Sequence, residues 1–124
     1  MNCVFNIKEL SEADIRTKYI TPAIVKAGWD INTQIREEYP ITKGRIIAKG
    51  KFCKRENPLK ADYILFYKQN IPIAVVEAKD NNHTMAHGMQ QALQYAKMMD
   101  IPFVFSSNGD GFVFHNKYIT EGNV

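Results

Sequence analysis

Two apolar runs set the pattern of the chain, Ala61-Asp62-Tyr63-Ile64-Leu65-Phe66 and Ile73-Ala74-Val75-Val76-Glu77-Ala78-Lys79, parted by the polar break Lys68-Gln69-Asn70. Their β-branched and aromatic residues and the short break predict an antiparallel hairpin. In the second run Ala74, Val76 and Ala78 alternate with Ile73 and Val75, so both faces stay apolar until Glu77. That predicts a central strand covered on both sides, with charge only at its end, where a cleft could open. Upstream, Ser11 caps a predicted helix with Glu12 and Asp14 in its first turn. Ile15, Tyr19, Ala23 or Ile24, and Ala27 follow helical spacing, Pro22 predicts a kink or a new start, and Gly28 closes the helix. Trp29 follows as a core anchor. Thr33 to Glu37 and Arg45 to Ala48 read as strands joined through a turn region at Pro40 and Gly44. From Thr84 to Met99 the residues Met85, Met89, Ala92, Leu93, Ala96 and Met99 trace one helix face, ended by Asp100 and Pro102. Phe103-Val104-Phe105 and Phe112-Val113-Phe114 flank a turn marked by Asn108-Gly109 and Asp110-Gly111.

The order is helix, several strands, helix, two strands, without repeat, low-complexity segment or linker. It predicts a mixed β-sheet flanked by α-helices on its faces, an α/β (mixed α+β) fold. The 124 residues are the length of one domain, 1–124, long enough to bury its own core. Cys3 and Cys53 lie far apart with no C-x-x-C or Cys/His cluster, which fits a reduced compartment. The first residues carry neither a cationic flank nor an apolar core of signal length, and no run approaches a membrane span. A soluble, cytoplasmic protein with no membrane partner is expected.

The hairpin carries the chemistry. With Gln69-Asn70 as a two-residue turn, Asp62 lies opposite Glu77 and Lys60 opposite Lys79, with Cβ atoms about 5 Å apart. Alternation puts Glu77 and Lys79 on one face, and Asp62 joins them. Like charges directly opposite destabilise a sheet, and a divalent cation would remove the objection. Mg²⁺ is typically held by one or two carboxylates, with waters and substrate phosphate completing its shell. A lysine beside it can orient or deprotonate a water or stabilise charge on a phosphate. The set suits metal-assisted phosphodiester hydrolysis. The same residues also fit an ordinary charged strand end with Asp62 capping a turn, and a bulge would shift the register.

The net charge of +3 is unevenly spread. Lys43, Arg45, Lys49, Lys51, Lys54, Arg55 and Lys60 face one acid, Glu56, within their segment. This is a footprint for a polyanion or a solvated lysine-rich loop. Gln91 and Tyr95, four apart on the second helix, can turn an amide and a phenol towards a phosphate, a base or the carboxylates, or can simply flank the helix. His83 and His87 share that spacing but have no third ligand, so solvated histidines at the helix start are the simpler reading. Ser-His-Asp, G-x-x-x-x-G-K-[ST] and G-x-G-x-x-G patterns are absent.

Asp62, Glu77-Ala78-Lys79 and Gln91-Ala92-Leu93-Gln94-Tyr95 resemble the PD-(D/E)xK nuclease core with the Q-x-x-x-Y extension of type I restriction enzyme motor (HsdR-type) subunits. Ser11-Glu12-Ala13-Asp14-Ile15-Arg16, Ala27-Gly28-Trp29 and Ser107-Asn108-Gly109-Asp110-Gly111 extend the likeness to that subunit's N-terminal domain, over most of the chain. Ala61 stands where the motif name has proline, which leaves the acid in place. The resemblance implies a restriction-endonuclease-like core and a Mg²⁺-dependent endonuclease domain that cuts double-stranded DNA. It also implies a larger subunit whose motor domains use ATP, with methylation and specificity subunits as partners. By the same likeness Asp62 and Glu77 ligate Mg²⁺, Lys79 acts on the water or phosphate, and Gln91 and Tyr95 support the site or touch DNA. Glu12, on the first helix, is a further candidate carboxylate. Lys49, Lys51 and Lys54 are the DNA-contacting candidates of the basic stretch.

Three functions stand side by side. The first is the Mg²⁺-dependent DNA endonuclease domain. A stand-alone repair or junction nuclease shares the core and would be favoured by a gene of this size without a downstream motor. A catalytically idle nuclease-like fold for DNA or protein binding is the third, and the joint presence of Asp62, Glu77 and Lys79 argues against it.

Overall fold

The structure, a computed structural model, describes residues 6–41, 59–82 and 85–117. Ser11 opens the first helical run through a capping box. Its hydroxyl accepts the Asp14 N–H at 3.1 Å, and the Asp14 carboxylate accepts the Ser11 N–H at 3.3 Å. The run comprises α1 (Glu12–Ile15), a π-helical turn (Arg16–Ile20) and α2 (Thr21–Lys26). Pro22, near the start of α2, has no N–H to give, and the wider π turn lets the helix continue past it. The insertion moves the buried face by a residue. Ile15, Ile20 and Ile24 point inward, and Tyr19, expected on that face, is exposed.

Five strands follow: β1 (Ile35–Ile41), β2 (Leu59–Lys68), β3 (Ile71–Ala78), β4 (Phe103–Ser107) and β5 (Phe112–Asn116). α3 (Met85–Met99) joins β3 to β4. The sheet order is β1-β2-β3-β4-β5, antiparallel except for the parallel β3/β4 pair. β3 is therefore central, as its two-sided apolar pattern predicts. One expectation is corrected. Pro40 does not turn the chain but lies within β1, opposite Lys60. β1 is the sheet edge, where a residue without an N–H removes no bond from a second neighbour. The expected strand at Arg45 to Ala48 lies outside the described residues.

The hairpin turns at Gln69-Asn70, with Asn70 at φ 66 and Lys68 opposite Ile71. An irregularity around Phe66 leaves the pairing sum unchanged on both sides, with Leu65 opposite Ala74 and Tyr63 opposite Val76. The sheet separates two cores. On one side Leu10, Ile15, Ile20 and Ile24 pack on Tyr63, Leu65, Ala74 and Val76, with Trp29 against their edge. On the other, Ala92, Tyr95 and Ala96 of α3 cover Ile64, Phe66, Val75 and Val104. Each fully buried Ile or Val contributes about 1.5–3 kcal/mol of apolar burial, so the hairpin is clamped from both faces. The fold is the expected mixed α+β sheet with helices. Among the described residues no helix is long and apolar enough to cross a membrane.

Candidate active site

Continuing the β2/β3 register beyond Tyr63 and Val76 brings Asp62 against Glu77, and their hydrogen bonds cross. The Asp62 N–H donates to Glu77 Oε2 at 2.8 Å, and the Ala78 N–H donates to Asp62 Oδ2 at 2.7 Å. Each carboxylate thus holds the backbone of the opposite strand. Glu77 is only 3% exposed. Burial, then the neighbouring Asp62 charge, push its carboxyl up to about 8. Asp62 is also raised by burial, against the opposing pull of the Ala78 N–H and the Arg16 cation. Without a metal, the pair retains a proton at neutral pH.

Lys79 follows the last residue of β3. Its backbone N–H donates to the Ser107 carbonyl at 2.9 Å, which continues the β3/β4 pairing, and its ammonium favours the ionised form of both carboxylates. α3 lies close over this strand end. A Cβ on Gly88 would fall 2.6 Å from Ser106 Oγ, 3.3 Å from Lys79 Cγ and 3.6 Å from Glu77 Cβ. Only a residue without a side chain lets the helix come so near. One turn on, Gln91 Nε2 donates to the Tyr95 hydroxyl at 2.9 Å. Tyr95 is buried, and its pKa is raised by burial and then by the charge of Glu77, against the hydrogen bond from Gln91.

Three further residues belong to this arrangement. Ser106, fully buried, is the β4 partner of Glu77. Gly88 allows the close approach. Arg16, from the π turn, places Nη1 3.7 Å from Asp62 Oδ1. Gly88 shows in the sequence as a glycine inside a helical pattern, and Arg16 only as the last residue of a segment that carries the family likeness. Ser106 and Arg16 reach the site through the fold. Beside it, Asn81 Nδ2 ties the Asn108 carbonyl and Asp110 Oδ2, at 3.0 Å each, into the β4–β5 loop.

The structure therefore brings together Asp62, Glu77, Lys79, Gln91 and Tyr95. Glu12 is half-buried at the first position of α1. Among the described residues no three His, Cys, Asp or Glu side chains are grouped to hold a metal, so Glu12 does not complete a trio with Asp62 and Glu77. Lys49, Lys51 and Lys54 lie outside the described residues, as do His83 and the side chain of His87.

A central strand ending in a buried acid, with a half-buried lysine directly after it and a crossover helix above, is the arrangement of a nuclease-like core. The family described as the type I restriction enzyme EcoKI endonuclease subunit second domain matches residues 32–101. Over 117 residues the chain is 49% identical to the type I restriction enzyme EcoAI endonuclease subunit of Escherichia coli, a match spanning 94% of this chain and 14% of that relative. A fragment structure assigned to an HsdR subunit of a type I restriction enzyme from Vibrio vulnificus YJ016 superposes with a TM-score of 0.74 at 40% identity. It covers 87% of this chain and 21% of that one. The chain belongs to the HsdR-type endonuclease subunit family of type I restriction enzymes.

Proposed function

We propose that residues 1–124 form a nuclease domain of an HsdR-type subunit and cleave double-stranded DNA by Mg²⁺-dependent phosphodiester hydrolysis. The observation that carries this reading is the crossed pair of Asp62 and the buried Glu77, with Lys79 directly after the strand, in a chain of this family. The donor set fits Mg²⁺. Backbone bonding uses one oxygen of each carboxylate, a carboxylate accepts at two, and this ion needs only one or two carboxylates. Asp62 and Glu77 would hold the ion, which would supply charge neutralisation at the phosphate and an activated water. Lys79 orients the water or steadies charge on the phosphate. Tyr95, held by Gln91, supports the acids from the α3 side. Lys49, Lys51 and Lys54 contact the DNA backbone. In the longer subunit, motor domains use ATP, and methylation and specificity subunits complete a cytoplasmic complex.

The test uses the full subunit in its complex with Asp62→Asn, Glu77→Gln and Lys79→Met. The amides keep an acceptor for the crossing N–H groups, so the fold is preserved. DNA cleavage should disappear while ATP hydrolysis and translocation continue. Cleavage that survives either carboxylate exchange would overturn the reading.

A further inference from the structure

Arg16 is the cation that the proposed chemistry leaves without a task. Its side chain is 17% exposed. Nη2 donates to Glu37 Oε1 at 3.3 Å and to Glu38 Oε2 at 3.2 Å, while Nη1 faces Asp62 Oδ1. Behind it, Cζ stands 5.8 Å from the centre of the Tyr63 ring. The Tyr63 hydroxyl shares a 2.6 Å hydrogen bond with Thr21 and donates to the Arg16 carbonyl at 3.4 Å. Nε is buried without a partner. A buried N–H left unpaired needs an explanation.

The backbone of β1 adds a second oddity. Successive side chains of a regular strand point to opposite faces. Glu37 and Glu38 nevertheless meet the same guanidinium, and Glu38 adopts φ 50, a conformation costly for a residue with a side chain. The strain brings a second acid to Arg16. Asp62 Oδ2 is pinned by the Ala78 N–H, so the direction of Oδ1 is set by whatever stands beside it. That neighbour is a planar fork anchored elsewhere.

We propose that Arg16 is a positioning residue for cleavage: anchored on Glu37 and Glu38, its guanidinium sets the orientation of the Asp62 carboxylate. The inference rests on the nuclease reading above. Charge alone does not serve, because a lysine is a point cation that cannot reach Asp62 and the β1 acids with one rigid group.

The experiment measures cleavage by the full subunit in its complex, for Arg16→Lys, Arg16→Met and the double variant Glu37→Gln/Glu38→Gln, with Asp62→Asn as the control. Both Arg16 variants should lower the rate at saturating DNA and Mg²⁺ by about tenfold or more, since small misplacements of a reacting group have large effects. They should also raise the Mg²⁺ concentration giving half-maximal cleavage, and leave the KM for DNA unchanged. The double variant alters only the exposed acids that anchor Arg16 and leaves Asp62 itself in place, and should shift the Mg²⁺ dependence in the same direction by a smaller factor. Rescue by Arg16→Lys, a loss confined to the KM for DNA, or wild-type Mg²⁺ dependence in the double variant would each overturn the proposal. Cleavage that persists in Asp62→Asn would instead remove the nuclease reading beneath it.

Discussion

At the scale of single residues, Glu77 has the environment that most strongly ties charge to stability. Its carboxyl sits at about 8 in the folded chain against an ordinary 4.5, chiefly through burial. Between those values the folded state holds a proton that the unfolded chain has released, so stability falls as pH rises. The metal-free protein should therefore melt at progressively lower temperature from about pH 5 to about pH 8, and Glu77→Gln should flatten that slope. A melting temperature independent of pH across this window in the wild-type chain would contradict the assignment. Tyr95 offers a gentler probe. Tyr95→Phe keeps the ring in its core and loses one hydrogen bond from Gln91, at about 1 kcal/mol or less. Under the proposed function cleavage should fall by more than this loss of stability explains, while ATP hydrolysis persists. Parallel losses, read from denaturant melts beside cleavage rates, would reduce Tyr95 to a packing residue.

At the scale of elements, the β4–β5 loop shows how closely the first helical run is seated. Gly109 has φ +94, and a Cβ there would meet Ile7 Cδ1 at 3.1 Å and Ile15 Cδ1 at 3.2 Å. Gly109→Ala should destabilise the fold by about 1–3 kcal/mol through backbone strain and crowding. Gly111, with open space around it, should accept alanine with little change, and similar melting curves for the two variants would refute this account. The hairpin was legible in the sequence because strand alternation and a two-residue polar break leave few registers, and the observed pairing follows them. β1 was only half legible, since Pro40 reads as a turn until the strand is known to be an edge. The π turn was illegible. It breaks the helical period by one residue, so the pattern assigned Tyr19 to a face that Ile20 occupies. Leu93 likewise fitted the stripe of α3 yet remains partly exposed at its margin. Among the residues around the acids, Asp62, Glu77 and Lys79 could be grouped from local spacing, and Gln91 and Tyr95 as a pair on one helix side that only the family resemblance joined to them. Arg16 and Ser106 could not, because packing of distant segments brings them there.

At the scale of the whole molecule, the net charge of +3 hides the uneven basic stretch from Lys43 to Lys60. If that stretch meets DNA, it acts through phosphate neutralisation and counterion release, without reading sequence. Binding to a duplex should then be weak and steeply dependent on salt. Neutralising Lys49, Lys51 and Lys54 together should flatten the dependence by about 2–3 in the log–log slope. An unchanged slope would return the segment to the role of a solvated loop.

The crossed carboxylates also bear on the order in which the chain folds. Asp62 and Glu77 meet across a tight hairpin, a local closure of the kind that forms in about 1–10 μs in isolated peptides. α3 and β4, which bury the pair, need the longer parallel crossover and its greater loss of chain entropy. The acids therefore meet while water still separates their charges, and the proton becomes necessary only when the crossover closes. Proton uptake in refolding should thus follow docking of the helix rather than pairing of the strands, and uptake that coincides with strand pairing in a stopped-flow pH-indicator experiment would refute it.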